Sequence, residues 1–252
     1  MLETRNLTIR FGGHVAVDGV SCAFQPGTLT AIVGPNGAGK TTYFNLISGQ
    51  LRASAGSVHL DGVDITRETA PARTHRGLGR AFQLTQLFPN LSVVENVRLA
   101  VQSRRHEGLN LWSVWLDHRN TLERAHALVD LVKLGDRADA RASSLPHGDQ
   151  RKLEVAMLMA LEPSVYMFDE PTAGMSVDDV PVILDLVRAL KSENDKTILL
   201  VEHKMDVVRE LADRIIVLHN GQLVADGDPA TVIASPVVQN AYLGLTPQAE
   251  AA

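Results

Sequence analysis

Apolar and polar positions change period several times along this chain. Residues 7–10 and 16–24 read as strands on either side of the turn Gly12-Gly13. Residues 28–33 form a short β-rich run that leads into Gly34-Pro35-Asn36-Gly37-Ala38-Gly39-Lys40-Thr41-Thr42. A helix over 43–48 follows, with Gly49 placed as its C-cap. Residues 57–65 alternate around Asp61-Gly62, a tight-hairpin dipeptide. From about Leu91 to Gly135 the period becomes helical, with Leu122, Ala125, Leu128, Val129 and Val132 sharing one face. Residues 141–148 make a turn-rich bridge, and 152–161 are helical again. Apolar strands are predicted at 165–168, 197–201 and 215–218, separated by helices over 180–191 and 205–212. Asn220-Gly221 turns the last of them into a further strand at 222–225. Strands that are apolar on both faces and alternate with helices predict a mainly parallel sheet in an α/β fold.

A length of 252 residues allows one large domain, or a core with a subdomain. The net charge of −5 argues against a general nucleic-acid binder. Cys22 is the sole cysteine, so no intrachain disulfide can form and a reducing compartment fits. The longest apolar run, 155–161, is far short of the roughly 18 residues that span a bilayer. Met1 to Arg5 carry no signal-peptide pattern, so other chains would have to supply any membrane path.

Chemistry concentrates at two places. Gly34-x-x-x-x-Gly39-Lys40-Thr41 is a complete phosphate-binding loop between a strand and a helix. Its glycines let backbone amides turn toward phosphate oxygens, Lys40 offers a charge to the β- and γ-phosphates, and Thr41 offers a hydroxyl to Mg²⁺. The strand 165–168 ends in Asp169-Glu170-Pro171. Acids at the C-terminal end of a parallel strand stand where α/β folds bind ligands. Asp169 would organise Mg²⁺, directly or through water, and Glu170 would polarise an attacking water. Taken alone, the same two acids could simply be a turn that starts a helix.

Between these two places lies Leu145-Pro146-His147-Gly148-Asp149-Gln150. It resembles the signature of the ATP-binding cassette (ABC) ATPases, usually Leu-Ser-Gly-Gly-Gln, with Pro146 at the serine and Asp149 at the glutamine. With all three motifs in this order, the chain resembles an ABC transporter ATP-binding subunit over nearly its whole length. The resemblance implies a P-loop core, an N-terminal antiparallel β subdomain and an inserted α-helical signature subdomain. It implies one domain over 1–246, with 1–90 and 163–246 as core, 91–162 as the helical part and 247–252 as a fraying tail. It implies ATP and Mg²⁺ as ligands. Phe11, which would stack on adenine, and Val17 join Gly34, Asn36, Gly37, Ala38, Gly39, Lys40, Thr41 and Thr42 as nucleotide-binding residues. Gln83 would contact Mg²⁺ or the attacking water, and His203 the γ-phosphate. Thr41, Gln83 and Asp169 form the metal set, and Glu170, His203 and Gln83 the catalytic set. By themselves, Gln83 would read as a polar loop residue and His203 as a helix-start residue.

In this family the signature acts in trans, clamping the γ-phosphate held by a second ATPase subunit. Pro146, His147, Gly148 and Asp149 would do so here. Pro146 has neither hydroxyl nor N–H, so His147 is the substitute donor considered, while Asp149 brings a negative charge that must face away or cap the helix. Ser176 stands where the dimer-contact loop often carries aspartate. Arg10-Phe11-Gly12-Gly13, Arg80-Ala81-Phe82-Gln83 with Leu87-Phe88, the Pro-His-Gly-Asp-Gln signature and Ala241-Tyr242-Leu243-Gly244 are similar to the longer ATPase of branched-chain amino-acid importers. Trp112 and Trp115 fall where that ATPase carries an insertion, and read either as subdomain packing or as a membrane-side contact. The implied partners are a second ATPase subunit, a paralogue or a second copy, two membrane permeases and an extracytoplasmic solute-binding protein, without nucleic acid. The implied place is the cytoplasmic face of the membrane. Importers of urea or short amides, exporters, soluble ABC ATPases and a non-hydrolysing regulator are the competing readings.

Overall fold

The computed structural model describes residues 1–81, 87–104 and 118–243. The chain opens with strands β1 (Leu2–Phe11), β2 (His14–Phe24) and β3 (Leu29–Val33), then helix α1 (Lys40–Ser48). Strands β4 (Ala55–Leu60) and β5 (Val63–Asp64), helix α2 (Ala70–His75) and strand β6 (Leu78–Ala81) follow. Helices α3 (Val93–Arg104), α4 (His118–Leu131) and α5 (His147–Ala160) form a helical layer. The chain then alternates through β7 (Val165–Asp169), α6 (Val180–Ser192), β8 (Thr197–Val201), α7 (Met205–Leu211), β9 (Arg214–His219) and β10 (Gln222–Gly227). It ends in α8 (Pro229–Ala234) and α9 (Pro236–Leu243).

Two sheets result. One is antiparallel, in the order β2-β1-β4-β5. The other has six strands in the order β10-β9-β3-β8-β7-β6, parallel from β9 to β6, with β10 antiparallel at one edge. Both hairpin dipeptides turn as expected: Asp61 and Gly62, and Asn220 and Gly221, all take positive φ.

The period-2 alternation of the central strands sorts the core into two faces. Ile32, Met167, Leu199, Val201, Ile216 and Leu218 pack with Tyr43, Phe44 and Ile47 of α1 and with Leu2, Phe24 and Val58 of the antiparallel sheet. Tyr166, Phe168, Ile198 and Leu200 turn the other way, toward α5, α6 and the helical layer. Helix α1 is thereby sandwiched, with the phosphate loop at its N-terminus.

Helices α2, α8 and α9 have no counterpart in the reading of the sequence, and three further elements differ from it. Strand β6 has no apolar run; Gly79 fits because a Cβ there would lie 2.5 Å from Leu158 Cδ1 of α5 and 2.7 Å from Pro163. Helix α5 starts at His147 with Pro146 as N-cap, earlier than the 152 that periodicity predicts and at the helix start that the signature resemblance implies. On α4, Ala125, Leu128, Val129 and Val132 are buried, but Leu122 is exposed. Residues beyond 243 and the segment 105–117, with Trp112 and Trp115, lie outside the described residues.

Candidate active site

Strands β3, β8 and β7 are neighbours and run parallel, so their C-terminal ends meet on one edge of the sheet. The phosphate loop leaves β3 there, Asp169 and Glu170 end β7, and His203 follows β8.

The loop is built on glycine. Gly34, at φ 148°, has no room for a Cβ, which would lie 2.1 Å from the Leu218 carbonyl oxygen. Gly39, at φ 96°, caps α1 from the left-handed region, and a Cβ there would lie 2.5 Å from the Ala16 carbonyl. Asn36 and Gly37 are exposed at the loop tip, while Ala38 is buried. Lys40 is also buried, and its Nζ donates to the carbonyls of Gly34 at 2.7 Å and Pro35 at 2.9 Å. Burial pushes its ammonium below the usual lysine range, against the opposing pull of Glu170 and Asp169. Thr41 and Thr42 begin the first turn of α1, and Thr41 is half-buried.

Asp169 is buried, and its Oδ2 accepts from Arg80 Nη2 at 2.8 Å. Burial raises its carboxyl above the ordinary range, and Arg80 opposes that shift. Arg80 also donates to Asn45 Oδ1 at 2.6 Å and Ser48 Oγ at 2.8 Å, and lies 5.1 Å over the Phe44 ring. The acid is thus tied to α1 through one guanidinium. Glu170 takes φ 52°, a left-handed conformation uncommon for glutamate and concentrated at functional sites. Its Oε1 lies 2.8 Å from His203 Nε2. Both side chains are partly exposed, at 40% and 42%. Behind them Glu202 accepts from Thr172 Oγ1 at 2.6 Å and from the His203 amide at 2.8 Å.

The signature residues occupy the first turn of α5, with amides at the positive end of the helix dipole. Asp149 makes no capping bond; it pairs with Arg137 at 2.6 Å and Lys152 at 3.1 Å, which neutralises its charge. His147 is exposed and leans on the backbone of Gly174, where a Cβ would meet its ring at 3.1 Å.

Phe11 is 50% exposed at the end of β1. Val17 is fully buried and sits behind the loop, with its Cγ2 3.6 Å from a Cβ built on Gly39. It therefore lies with the core and not on an open surface. Gln83 falls in 82–86, outside the described residues. The sequence assigns no site chemistry to Arg80, Asn45, Thr172 or Glu202, although Arg80 and Thr172 fall within motifs that carry the resemblance. Arg80 stands three residues before Gln83, and Glu202 directly before His203. A cleft of about 880 Å³ runs along β6 between α2 and helices α3 and α5 and meets the site at Arg80; Arg76, Phe88, Arg104, Met157 and Lys196 are among its other lining residues.

The family model for ABC transporters matches residues 17–173. The chain is 36% identical to the high-affinity branched-chain amino acid transport ATP-binding protein BraF of Pseudomonas aeruginosa, covering 97% of this chain and 98% of that one. It is 34% identical to LivG of Escherichia coli, described in the same terms, with the same coverage. Among solved structures, the ADP conformation of MJ1267, an ATP-binding cassette of an ABC transporter, superposes with TM-score 0.80. It is 30% identical and covers 97% of this chain and 98% of that chain. The dimeric post-hydrolysis state of the cassette MJ0796 bound to ADP and Pi gives 0.78, at 25% identity, covering 91% and 99%.

Proposed function

The chain belongs to the ABC transporter family of ATP-binding cassettes, and from that premise we propose that it drives import of branched-chain or other hydrophobic amino acids. It is an ATPase that works through partner membrane subunits. The observation that carries the reading is the meeting of Lys40, Asp169 and the Glu170–His203 pair on one sheet edge. The cargo rests on full-length similarity to proteins named for branched-chain amino-acid transport.

ATP phosphates would lie against the amides of 34–42, with Lys40 exchanging its two carbonyl partners for phosphate oxygens. Phe11 would stack on adenine. Thr41 and Asp169, with Gln83, would hold Mg²⁺. Among the described residues no group of three or more His, Cys, Asp or Glu could hold a metal alone. A hydroxyl, one carboxylate, waters and phosphate make the oxygen set that Mg²⁺ accepts. When bound, it neutralises charge on the β- and γ-phosphate oxygens. Glu170 accepts the proton of the attacking water as its oxygen bonds to the γ-phosphorus and the bond to ADP breaks. His203 turns from Glu170 to the γ-phosphate.

The signature of one subunit would complete the site of another, through the amides that open α5. The permeases would dock in the cleft beside Phe88, at the cytoplasmic face, with a solute-binding protein outside. Among the described residues no helix is long and apolar enough to cross a membrane.

The test is hydrolysis by the assembled transporter in proteoliposomes, with leucine, valine, urea or acetamide and the binding protein. Stimulation by the amino acids is expected; stimulation by urea alone overturns the cargo. Glu170→Gln should keep ATP binding and lose on the order of 10²–10⁴ in turnover. Hydrolysis at the unmodified rate would remove Glu170 as base.

A further inference from the structure

Outside the nucleotide-binding groups, the strongest polar cluster joins the signature to the loop after Glu170. Lys152 projects from α5 one turn beyond Asp149, and its side chain is 8% exposed. Its Nζ reaches Asp149 Oδ1 at 3.1 Å and pairs closely with Asp179, the N-cap residue of α6. Asp149 is held from the other side by Arg137 at 2.6 Å. Asp179 Oδ2 accepts from Ser176 Oγ at 2.7 Å, and the Asp179 amide donates to the same hydroxyl at 3.2 Å.

Two backbone approaches run alongside. A Cβ on Gly148 would lie 3.1 Å from Asp179 Oδ2, and one on Gly174 would lie 3.1 Å from the His147 ring. The first turn of α5 and the segment 174–179 are therefore pressed together at two points and pinned by an ion pair. That segment is continuous with Glu170, whose carbonyl accepts from the Ala173 amide at 3.1 Å, and with Thr172, bonded to Glu202.

The charges suit a fixed link. Burial alone would lower the Lys152 ammonium, but its bonds to Asp179 and Asp149 outweigh that and raise it. The bond from Lys152, then that from Ser176, holds Asp179 below the usual carboxylate range. Both stay ionised over the physiological range. Separating the two elements would leave Lys152 with Asp149 alone and forfeit the closer of its two pairs, at an ammonium largely shielded from water.

We infer that Lys152 is a positioning residue that couples two nucleotide sites. It fastens the signature, which serves a neighbouring subunit's nucleotide, to the loop that carries this subunit's own Glu170. The inference rests on the trans reading of the signature given above. Asp179 supplies, three residues on, a carboxylate for this loop where Ser176 has none. Movement of α5 as the signature meets the neighbouring γ-phosphate is passed through Lys152 and Asp179 to the segment holding Glu170 and Thr172.

The experiment measures ATP hydrolysis by the assembled transporter against ATP concentration. It compares the unmodified chain with Lys152→Met, Lys152→Arg, Asp179→Asn and the double variant Lys152→Met with Asp179→Asn. The unmodified complex should show a Hill coefficient of about 1.5–2, bounded by two sites. Lys152→Met, Asp179→Asn and the double variant should each fall to about 1, the double no further than the singles, because one link is removed in all three. Lys152→Arg should restore most of the cooperativity. ATP binding by each isolated variant should stay within about two-fold of the unmodified chain, whereas general loss of structure would weaken binding and cooperativity together. If Lys152→Met does not fold, Asp179→Asn, which keeps its shape, decides the matter. A non-cooperative unmodified complex removes the trans reading and the inference with it. A cooperative one whose Lys152 and Asp179 variants are equally cooperative overturns the link and leaves the trans reading standing.

Discussion

Arg73→Met removes the guanidinium that holds the far end of the phosphate-loop helix. Arg73 is 1% exposed. Its Nη1 donates to the carbonyls of Leu46 at 2.7 Å and Ile47 at 2.6 Å, and its Nη2 to Thr66 at 2.8 Å. A fourth, longer bond of 3.3 Å runs from Nε to Glu68. Leu46 and Ile47 belong to the last turn of α1, whose carbonyls have no partner within the helix. Each charge-assisted bond is worth about 1.5–3 kcal/mol net. Three good ones set a ceiling of roughly 5–9 kcal/mol, reduced by the cost of burying the guanidinium and by the packing methionine regains. Leu46 also keeps the Gly49 amide at 3.3 Å. A net loss of about 3–4 kcal/mol remains. For a domain of this size that lowers the melting midpoint by roughly 6–16 °C, at about 2–4 °C per kcal/mol. Urea denaturation followed by circular dichroism, with a thermal scan of the same samples, measures both. The exposed Arg76→Met, which loses only a surface pair with Glu68, serves as control and should melt with the unmodified chain. If Arg73→Met loses less than about 1 kcal/mol, the clamp on α1 is not a stabilising element.

Two other substitutions probe the site directly. Gly34→Ala puts a methyl 2.1 Å from the Leu218 carbonyl and should weaken ATP binding at least about ten-fold, measured with a fluorescent nucleotide. Gly13→Ala, which meets nothing within 4 Å, should bind as the unmodified chain does, and equal affinity for both variants would refute the steric argument. His147→Ala in the assembled complex should reduce cooperative hydrolysis if the imidazole replaces the donor that Pro146 lacks; an unchanged profile would leave the helix amides alone in that role.

The sequence announced those parts of the fold whose signal is local. The phosphate loop, both hairpin turns and three apolar strands are each written within a dozen residues, where backbone conformation and period are decided. Strand β6 was silent because its identity comes from pairing with β7 and from α5 lying over Gly79, both remote in the chain. Periodicity alone starts α5 at 152, because its opening residues are polar and Pro146 reads as a turn; only the signature resemblance points to a helix start there. Arg80 escaped notice for a related reason: its partner Asp169 lies 89 residues away, and nothing in Arg80-Ala81-Phe82-Gln83 reveals that the arginine is turned inward. The charge of Asp149 is met nearer by, by Arg137 twelve residues back and by Lys152 one helical turn on.

The lysine of the phosphate loop carries a last consequence. Lys40 spans the loop like a temporary prop, with the Gly34 and Pro35 carbonyls as its two footings. A loop held this way has its curvature braced by its own side chain, reaching back six residues. With phosphates taking over the lysine as proposed, binding ATP would be a swap of footings, two carbonyls for phosphate oxygens, and not the ordering of slack chain. The conformational entropy that a collapsing loop would charge against every binding event is settled when the protein folds.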